Sequence, residues 1–176
     1  DALPILRNVQ YKSNGIDNDL RAINFDVNYL FFNPKLSVTR KTGKNAALSA
    51  SFAMAHREPD RSDFTDHGKQ DLPRPERLYD TELSYKSDHA NWNIELNGYY
   101  MAYKDQLIPT GQLNDVGNTL RKNTPDSYRL GIEWIGRYAV RSDLNAGINL
   151  TVSRNKIADF KEIIYDYTTG LETVEI

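Results

Sequence analysis

Cysteine is absent from the 176 residues. That excludes disulfide frameworks, thiolate metal centres and cysteine nucleophiles. Histidine occurs only 3 times, too few for a histidine-rich metal cluster. Neither sign of charge dominates. The 22 Lys+Arg stand against 24 Asp+Glu, a net charge of −2, so no basic surplus points to nucleic acid and no acidic surplus to a disordered tail. No run approaches the roughly 20 apolar residues of a membrane helix. Apolar residues are 39%, below the roughly 45–50% of an ordinary domain (a tally that also counts Gly). A membrane-spanning strand, however, needs only about 9–11 residues and carries its signal in alternation. The length suits one domain or a piece of one. The chain opens DALPILRNVQY, with no charged and apolar leader pattern, and closes GLETVEI. Both ends are expected to be cuts inside a larger protein.

What is abundant is tyrosine, 11 residues, set in strands of period two. From Asn91 to Lys104 one face reads Trp92, Ile94, Leu96, Gly98, Tyr100, Ala102 and the other Asn93, Glu95, Asn97, Tyr99, Met101, Tyr103. From Tyr128 to Tyr138 the two sets are Tyr128, Leu130, Ile132, Trp134, Gly136, Tyr138 and Arg129, Gly131, Glu133, Ile135, Arg137. Leu144, Ala146, Ile148, Leu150 and Val152 oppose Asn145, Gly147, Asn149 and Thr151. Tyr79, Thr81, Leu83 and Tyr85 oppose Asp80, Glu82, Ser84 and Lys86, and Ala47–His56 splits the same way. Two less regular strands are expected at about Pro4–Lys12 and Asn33–Lys41.

Connection lengths alternate. Lys41–Asn45, Ser87–Asn91 and Ala139–Asp143 are tight turns. Lys12–Phe32, Arg57–Arg77, Asp105–Asp126 and Asn155 onward read as polar loops of roughly 20 residues, where a soluble meander keeps connections of about 2–6. Short turns on one rim and long loops on the other is the build of an outer-membrane barrel. A soluble antiparallel sandwich or barrel would also alternate, since one face of each strand must be buried. Two features favour the membrane. The polar faces carry Gly, Asn, Ser and Thr beside Glu and Arg, which suits a wet interior. Tyr85, Trp92 and Tyr138 flank short turns, while Tyr79, Tyr100 and Tyr128 lie toward the long loops. At ~3.3 Å per residue and a tilt near 40°, Tyr128 to Tyr138 projects to roughly 25 Å, the height of a barrel's apolar band.

No constellation for catalysis or metal binding emerges. Across HREPDRSDF (His56–Phe64) and the residues just after it, Asp60, Asp63, Asp66 and Asp71 are interleaved with Arg57, Arg61 and Lys69, which opposes calcium binding and reads as a solvated loop knitted by ion pairs. His56 and His67 are too isolated for zinc. Glu82, Glu95 and Glu133 occur singly on three strands, where ion pairs with Arg129 and Lys86 are the ordinary expectation rather than a glycosidase pair. Gly98, Gly131 and Gly147 mark close packing or bends within strands. PTGQLNDVG lacks a phosphate-loop lysine. No cofactor, no catalytic residue and no metal ligand is therefore expected.

The segments SASFAMAHREPDRSDF, LPRPERLYDTELSYKS, WNIELNGYYMAYKDQLIPTGQLNDVGN and PDSYRLGIEW, with FFNPKLSV and NLTVSRNKIADF, together resemble the C-terminal barrel region of TonB-dependent outer-membrane receptors of Bacteroidetes-type bacteria. The resemblance runs from about Phe31 to Phe160. It implies an all-β, antiparallel up-and-down meander: about seven strands of a 22-stranded barrel, the plugged class of outer-membrane transporter. It implies residence in the bacterial outer membrane and TonB-energised uptake of a scarce large nutrient such as an iron–siderophore complex, haem or cobalamin. Residues 1–176 would be a partial barrel domain without plug, TonB box or terminal strand. The implied partners are outer-membrane lipid, the nutrient, and TonB and the plug through the parent's N-terminal part; nucleic acid is not among them. Lumen-facing candidates are Asp80, Glu82, Asn93, Glu95, Asn97, Arg129, Glu133 and Asn149. Lipid-facing candidates are Trp92, Ile94, Leu96, Tyr128, Leu130, Ile132, Trp134, Ile148 and Leu150. The competing reading is a soluble β-sheet module, for instance one that stacks Tyr and Trp on sugar rings. It requires Leu96, Ile132 and Ile148 to pack beneath a second layer.

Overall fold

The computed structural model describes residues 2–16, 22–66, 72–114, 117–158, 160–166 and 170–175. His67, Lys69, Asp71 and part of the PTGQLNDVG segment, Asp115 and Val116, lie outside them. The elements are β1 (Ala2–Ile16), β2 (Ala22–Lys41), β3 (Ala46–Arg57), α1 (Arg61–Asp66), β4 (Glu76–Asp88), β5 (Trp92–Leu113), β6 (Thr119–Arg141), β7 (Leu144–Ile157), β8 (Lys161–Asp166) and β9 (Gly170–Glu175).

The first seven strands form one antiparallel sheet in chain order, and β8 and β9 pair separately. Each strand therefore bonds to its neighbour in sequence, an up-and-down meander. Such an arrangement puts the turns 42–45, 89–91 and 142–143 at one end. Bonds between the turns hold that end together. Asp88 N–H donates to the Asn45 carbonyl and Ala139 N–H to the Asn91 carbonyl, both at 2.8 Å. His89 stacks on Trp92 with ring centroids 4.2 Å apart.

The other rim corrects the sequence reading. Lys12–Phe32 is not a loop: β1 and β2 stay paired up to Ile16↔Ala22. Asp105–Asp126 is also mostly strand, with β5 and β6 paired through Pro109↔Arg121 to Leu113↔Thr119. These hairpins stand beyond the regular sheet. Outer β2 still alternates, through Ile23, Phe25, Val27, Tyr29 and Phe31, but outer β5 and β6 alternate weakly or not at all. Backbone pairing with the neighbouring strand, rather than pattern, keeps them extended. One defect is repaired by a side chain. Pro125, opposite Asp105, has no N–H, and Asn123 Nδ2 donates instead to the Asp105 carbonyl at 2.7 Å. Asp105 itself has φ +53°. The segment after Asn155 likewise contains β8 and β9.

The connection between β3 and β4 is a true loop, but not a simply solvated one. Pro59, Asp63 and Phe64 in it are buried. It contains α1, whose start carries half of a capping box: Asp63 Oδ2 accepts from Asp60 N–H at 2.8 Å, while Asp63 N–H donates to the Asp60 backbone carbonyl. The buried apolar residues, Ile23, Phe31, Phe64, Tyr103 and Leu107, lie in this loop and in the outer parts of β2 and β5. The core thus sits at the long-hairpin rim, not between two sheets.

Candidate functional site

Register decides what shares a face. Trp92↔Tyr138, Ile94↔Gly136, Leu96↔Trp134, Gly98↔Ile132, Tyr100↔Leu130 and Ala102↔Tyr128 are direct β5–β6 partners. On β7, Ile148, Leu150 and Val152 stand opposite Gly136, Trp134 and Ile132. On β4, Tyr85, Leu83 and Tyr79 stand opposite Leu96, Gly98 and Ala102. Phe52, Ala50 and Leu48 continue the rows onto β3, and Leu36 and Val38 onto β2. All nine residues expected to face lipid therefore lie on one continuous apolar face. No second layer covers it among the described residues: Leu96, Ile132 and Ile148 are 43%, 57% and 52% exposed. The condition for the soluble module is not met.

Its two margins are aromatic. Trp92 and Tyr138 close the short-turn end, with a shallow groove between Trp92, Trp134, Tyr138 and Ile148 over Gly136. Tyr79, Tyr100 and Tyr128 mark the other end, Tyr100 and Tyr128 with ring centroids 6.3 Å apart. The next pairs outward are charged: His56↔Arg77, Arg77↔Lys104 and Lys104↔Asp126. Lys104 Nζ pairs with the Asp126 carboxylate. That hydrogen bond, foremost, holds the Lys104 ammonium above its ordinary pKa.

The opposite face gathers all eight polar candidates. Asp80 and Glu82 lie on β4, Asn93, Glu95 and Asn97 on β5, Arg129 and Glu133 on β6, and Asn149 on β7. Pairs such as Asn97↔Glu133, Lys86↔Glu95 and Glu133↔Thr151 join them across strands. The expected ion pair with Lys86 is present, Lys86 Nζ lying 3.9 Å from Glu95. Arg129 behaves differently, its guanidinium standing 5.3 Å over the Tyr103 ring. Asp80 Oδ1 and Asn97 Oδ1 are buried acceptors without a partner. Gly131 makes room for the Tyr99 ring across the ladder.

Sequence reasoning missed the rim cluster. β2 pairs with β3 only from Lys35↔Ala53 to Lys41↔Ala47. Above that point the strands part, and side chains fill the seam. Phe31 stacks on Tyr29 and His56 at 5.7 and 5.1 Å, beneath the Arg7 guanidinium. Arg7 in turn pairs with Glu58. His56 Nδ1–H donates to Asn33 Oδ1 at 2.7 Å, and Arg77 Nε–H donates to His56 Nε2 at 3.1 Å. Burial, then the nearby Arg77 charge, pull His56 below its ordinary pKa. Farther out, Phe64 stacks on Phe25 and meets the Tyr11 ring at a tilt. Arg121 bonds Asp60 at 3.1 Å, Arg74 pairs with Asp105 at 2.9 Å, and Asn123 and Arg74 exchange two hydrogen bonds. A signal existed in the alternation of Ile23, Phe25, Val27, Tyr29 and Phe31.

A profile of the family described as TonB dependent receptor-like, beta-barrel, matches residues 6–172. No curated protein sequence matches the chain. Among solved structures, the copper transporter OprC superposes with a TM-score of 0.65 at 16% identity, covering 77% of this chain and 22% of that one. The FrpB iron transporter from Neisseria meningitidis (F5-1 variant) gives 0.64 at 19% identity, covering 96% and 24%. The siderophore receptor PirA from Pseudomonas aeruginosa gives 0.62 at 17% identity, covering 74% and 27%. At these identities the likeness is one of fold. The chain spans about a quarter of the length of each.

Proposed function

The chain belongs to the TonB-dependent receptor-like β-barrel family, and from that premise we propose that it forms seven neighbouring wall strands of a receptor that imports a scarce, large nutrient with energy passed through TonB. Receptors of this family lie in the bacterial outer membrane and are transporters, not enzymes. The nutrient class proposed is iron–siderophore, haem, cobalamin or a comparable complex. The similarity to copper and iron transporters and to a siderophore receptor supports it.

The observation that carries this reading is the uncovered apolar face, bounded by aromatic rings and backed by a polar one. In the reading, Trp92, Ile94, Leu96, Tyr128, Leu130, Ile132, Trp134, Ile148 and Leu150 meet lipid. Tyrosine and tryptophan suit the margins because one end of each ring system is apolar and the other wet. The ladders satisfy the backbone groups that lipid cannot. Asp80, Glu82, Asn93, Glu95, Asn97, Arg129, Glu133 and Asn149 line the lumen. The unpartnered Asp80 and Asn97 acceptors are where donors of a plug domain or of lumenal water would bond. The long hairpins and the β3–β4 loop face outside and receive ligand.

Uptake measurements test this. Cells lacking the parent receptor should lose accumulation of one labelled nutrient among iron–siderophore, haem and cobalamin, and regain it on complementation. Accumulation should vanish when TonB is deleted. Uptake of all these classes that is indifferent to both deletions would overturn the proposal.

A further inference from the structure

The β3–β4 loop does not stand away from the sheet. Its described residues reach two hairpins at once. On the β1–β2 side, Phe64 meets the Phe25 and Tyr11 rings, Glu58 pairs with Arg7, and the Tyr29 hydroxyl donates to the Pro73 carbonyl at 3.4 Å. On the β5–β6 side, Arg121 lies 3.1 Å from Asp60 and 4.0 Å from Asp63, and Asn123 holds the Arg74 backbone. The hairpin residues in these contacts all stand at odd-numbered positions. Unbroken register carries those positions down to Lys35, in the row of Asp80, on one hairpin and to Arg129 on the other. That is the face proposed to line the lumen, so the loop crosses the lumenal side of both hairpins. Its two holds differ in kind. One is an aromatic contact around the buried Phe64 ring. The other centres on an exposed ion pair, with the Arg121 side chain 37% and that of Asp60 69% accessible, and such pairs are weak and screened by salt. Asp63 and Phe64, adjacent in α1, serve opposite hairpins.

We propose that this loop is a strap closed over the lumenal mouth of the resting receptor, pivoted on Phe64 and latched by Arg121, and that the latch must open before nutrient enters. The proposal rests on the barrel reading, which makes the odd-numbered face lumenal. The weaker hold yields first, so α1 swings from β6 while Phe64 keeps its contacts with Phe25 and Tyr11. A closed majority lowers the apparent affinity for nutrient in proportion to the fraction open. Arg121 is therefore autoinhibitory: removing it speeds entry, whereas removing a residue that contacts nutrient slows it.

The test uses the intact parent receptor on cells. Val27 lies between Phe25 and Tyr29 on β2, opposite Tyr11, and is half-buried. This chain has no native cysteine, so Val27→Cys adds one thiol beneath the strap. Its labelling by a membrane-impermeant maleimide reads opening with no nutrient present. Arg121→Ala should speed labelling about fivefold, and Arg121→Lys should stay near the wild type. Nutrient association is measured without the Val27 substitution, using haem, a ferric catecholate siderophore and cyanocobalamin, each offered separately. Whichever the wild type binds should associate faster with Arg121→Ala. A flexible bis-thiol bridge between Asp60→Cys and Arg121→Cys, as long as the arginine side chain it replaces, should slow association about tenfold relative to the unbridged pair. Equal labelling of the wild type and Arg121→Ala overturns the strap, as does a bridged receptor that binds as fast as the unbridged one. Slower association in Arg121→Ala also overturns it and makes Arg121 a nutrient contact. Labelling that responds to Arg121 while none of the three probes binds supports the strap and sinks the nutrient assignment.

Discussion

Tyr99 and Gly131 face each other across the β5–β6 ladder, and the Tyr99 ring occupies the space a side chain at 131 would need. A Cβ there would stand 2.6 Å from the tyrosine hydroxyl oxygen and 2.9 Å from the Val152 carbonyl. The ring could swing away, but the carbonyl belongs to the β6–β7 ladder and cannot. Gly131→Ala should therefore destabilise the barrel by about 1–3 kcal/mol. Truncating the ring as well, in Tyr99→Ser/Gly131→Ala, should recover only part of that. Thermal unfolding in detergent reads both. An alanine as stable as the wild type would show that β7 yields there.

The face assignment makes a second prediction. Ile132 sits in the middle row, between the rows of Leu130 and Trp134. Ile132→Arg should cost about 2–4 kcal/mol in a bilayer. Glu133→Gln, one residue on and on the opposite face, should cost far less. Equilibrium folding into vesicles measures the difference. Equal penalties at the two positions would mean that neither face meets lipid.

His56 lies two pairs beyond the Met54–Tyr79–Ala102–Tyr128 row, outside the apolar band. Its imidazole is neutral, giving a proton to Asn33 and accepting one from Arg77. Because its pKa in the folded state is below the ordinary 6.5, the unfolded chain binds the proton more readily. The contribution is therefore complete above about pH 6.5 and is lost as the pH falls through the folded value. Protonation would also set a cation against Arg77. The rim should loosen in mild acid, seen as faster hydrogen exchange around Phe31 and Arg77. His56→Gln should flatten that dependence. A pH response unchanged by the substitution would place its origin elsewhere.

The regular sheet was legible because alternation survives wherever one face is apolar throughout. Ala146 to Val152 and Trp92 to Ala102 reveal strand and face together. The outer parts of β5 and β6 were not legible as strand. Arg121, Lys122, Asn123, Thr124 and Pro125 show no period at all, and they are extended because β5 runs beside them. The helix was hidden for another reason. Six residues, Arg61–Asp66, are too few to show a helical stripe, and tertiary contacts stabilise so short a segment. The sharing of one face by the polar set followed from parity, but the seam cluster did not. Arg7, Phe31, His56 and Glu58 come from three separate stretches of chain, joined only because β2 and β3 part above Lys35.

The last prediction concerns that outer rim. Phe64 is 5% exposed, stacks on Phe25 at 4.8 Å and meets the Tyr11 ring at a tilt at 5.7 Å. It is the apolar anchor of the β3–β4 loop, while Arg121 bonding to Asp60 and Asn123 bonding to Arg74 are polar ties. Burial of a phenylalanine outweighs an exposed ion pair, which contributes about 0–1 kcal/mol. Phe64→Ala should weaken the loop by about 3–5 kcal/mol, and Arg121→Ala by much less. The rest of the sheet holds without the loop, through its own ladders, so the global unfolding temperature should change little. Limited proteolysis of the intact receptor should distinguish them: Phe64→Ala opens rapid cleavage within residues 58–66, and Arg121→Ala does so only slowly. Rapid cleavage in Arg121→Ala with protection in Phe64→Ala would reverse the order and make the loop an electrostatic assembly.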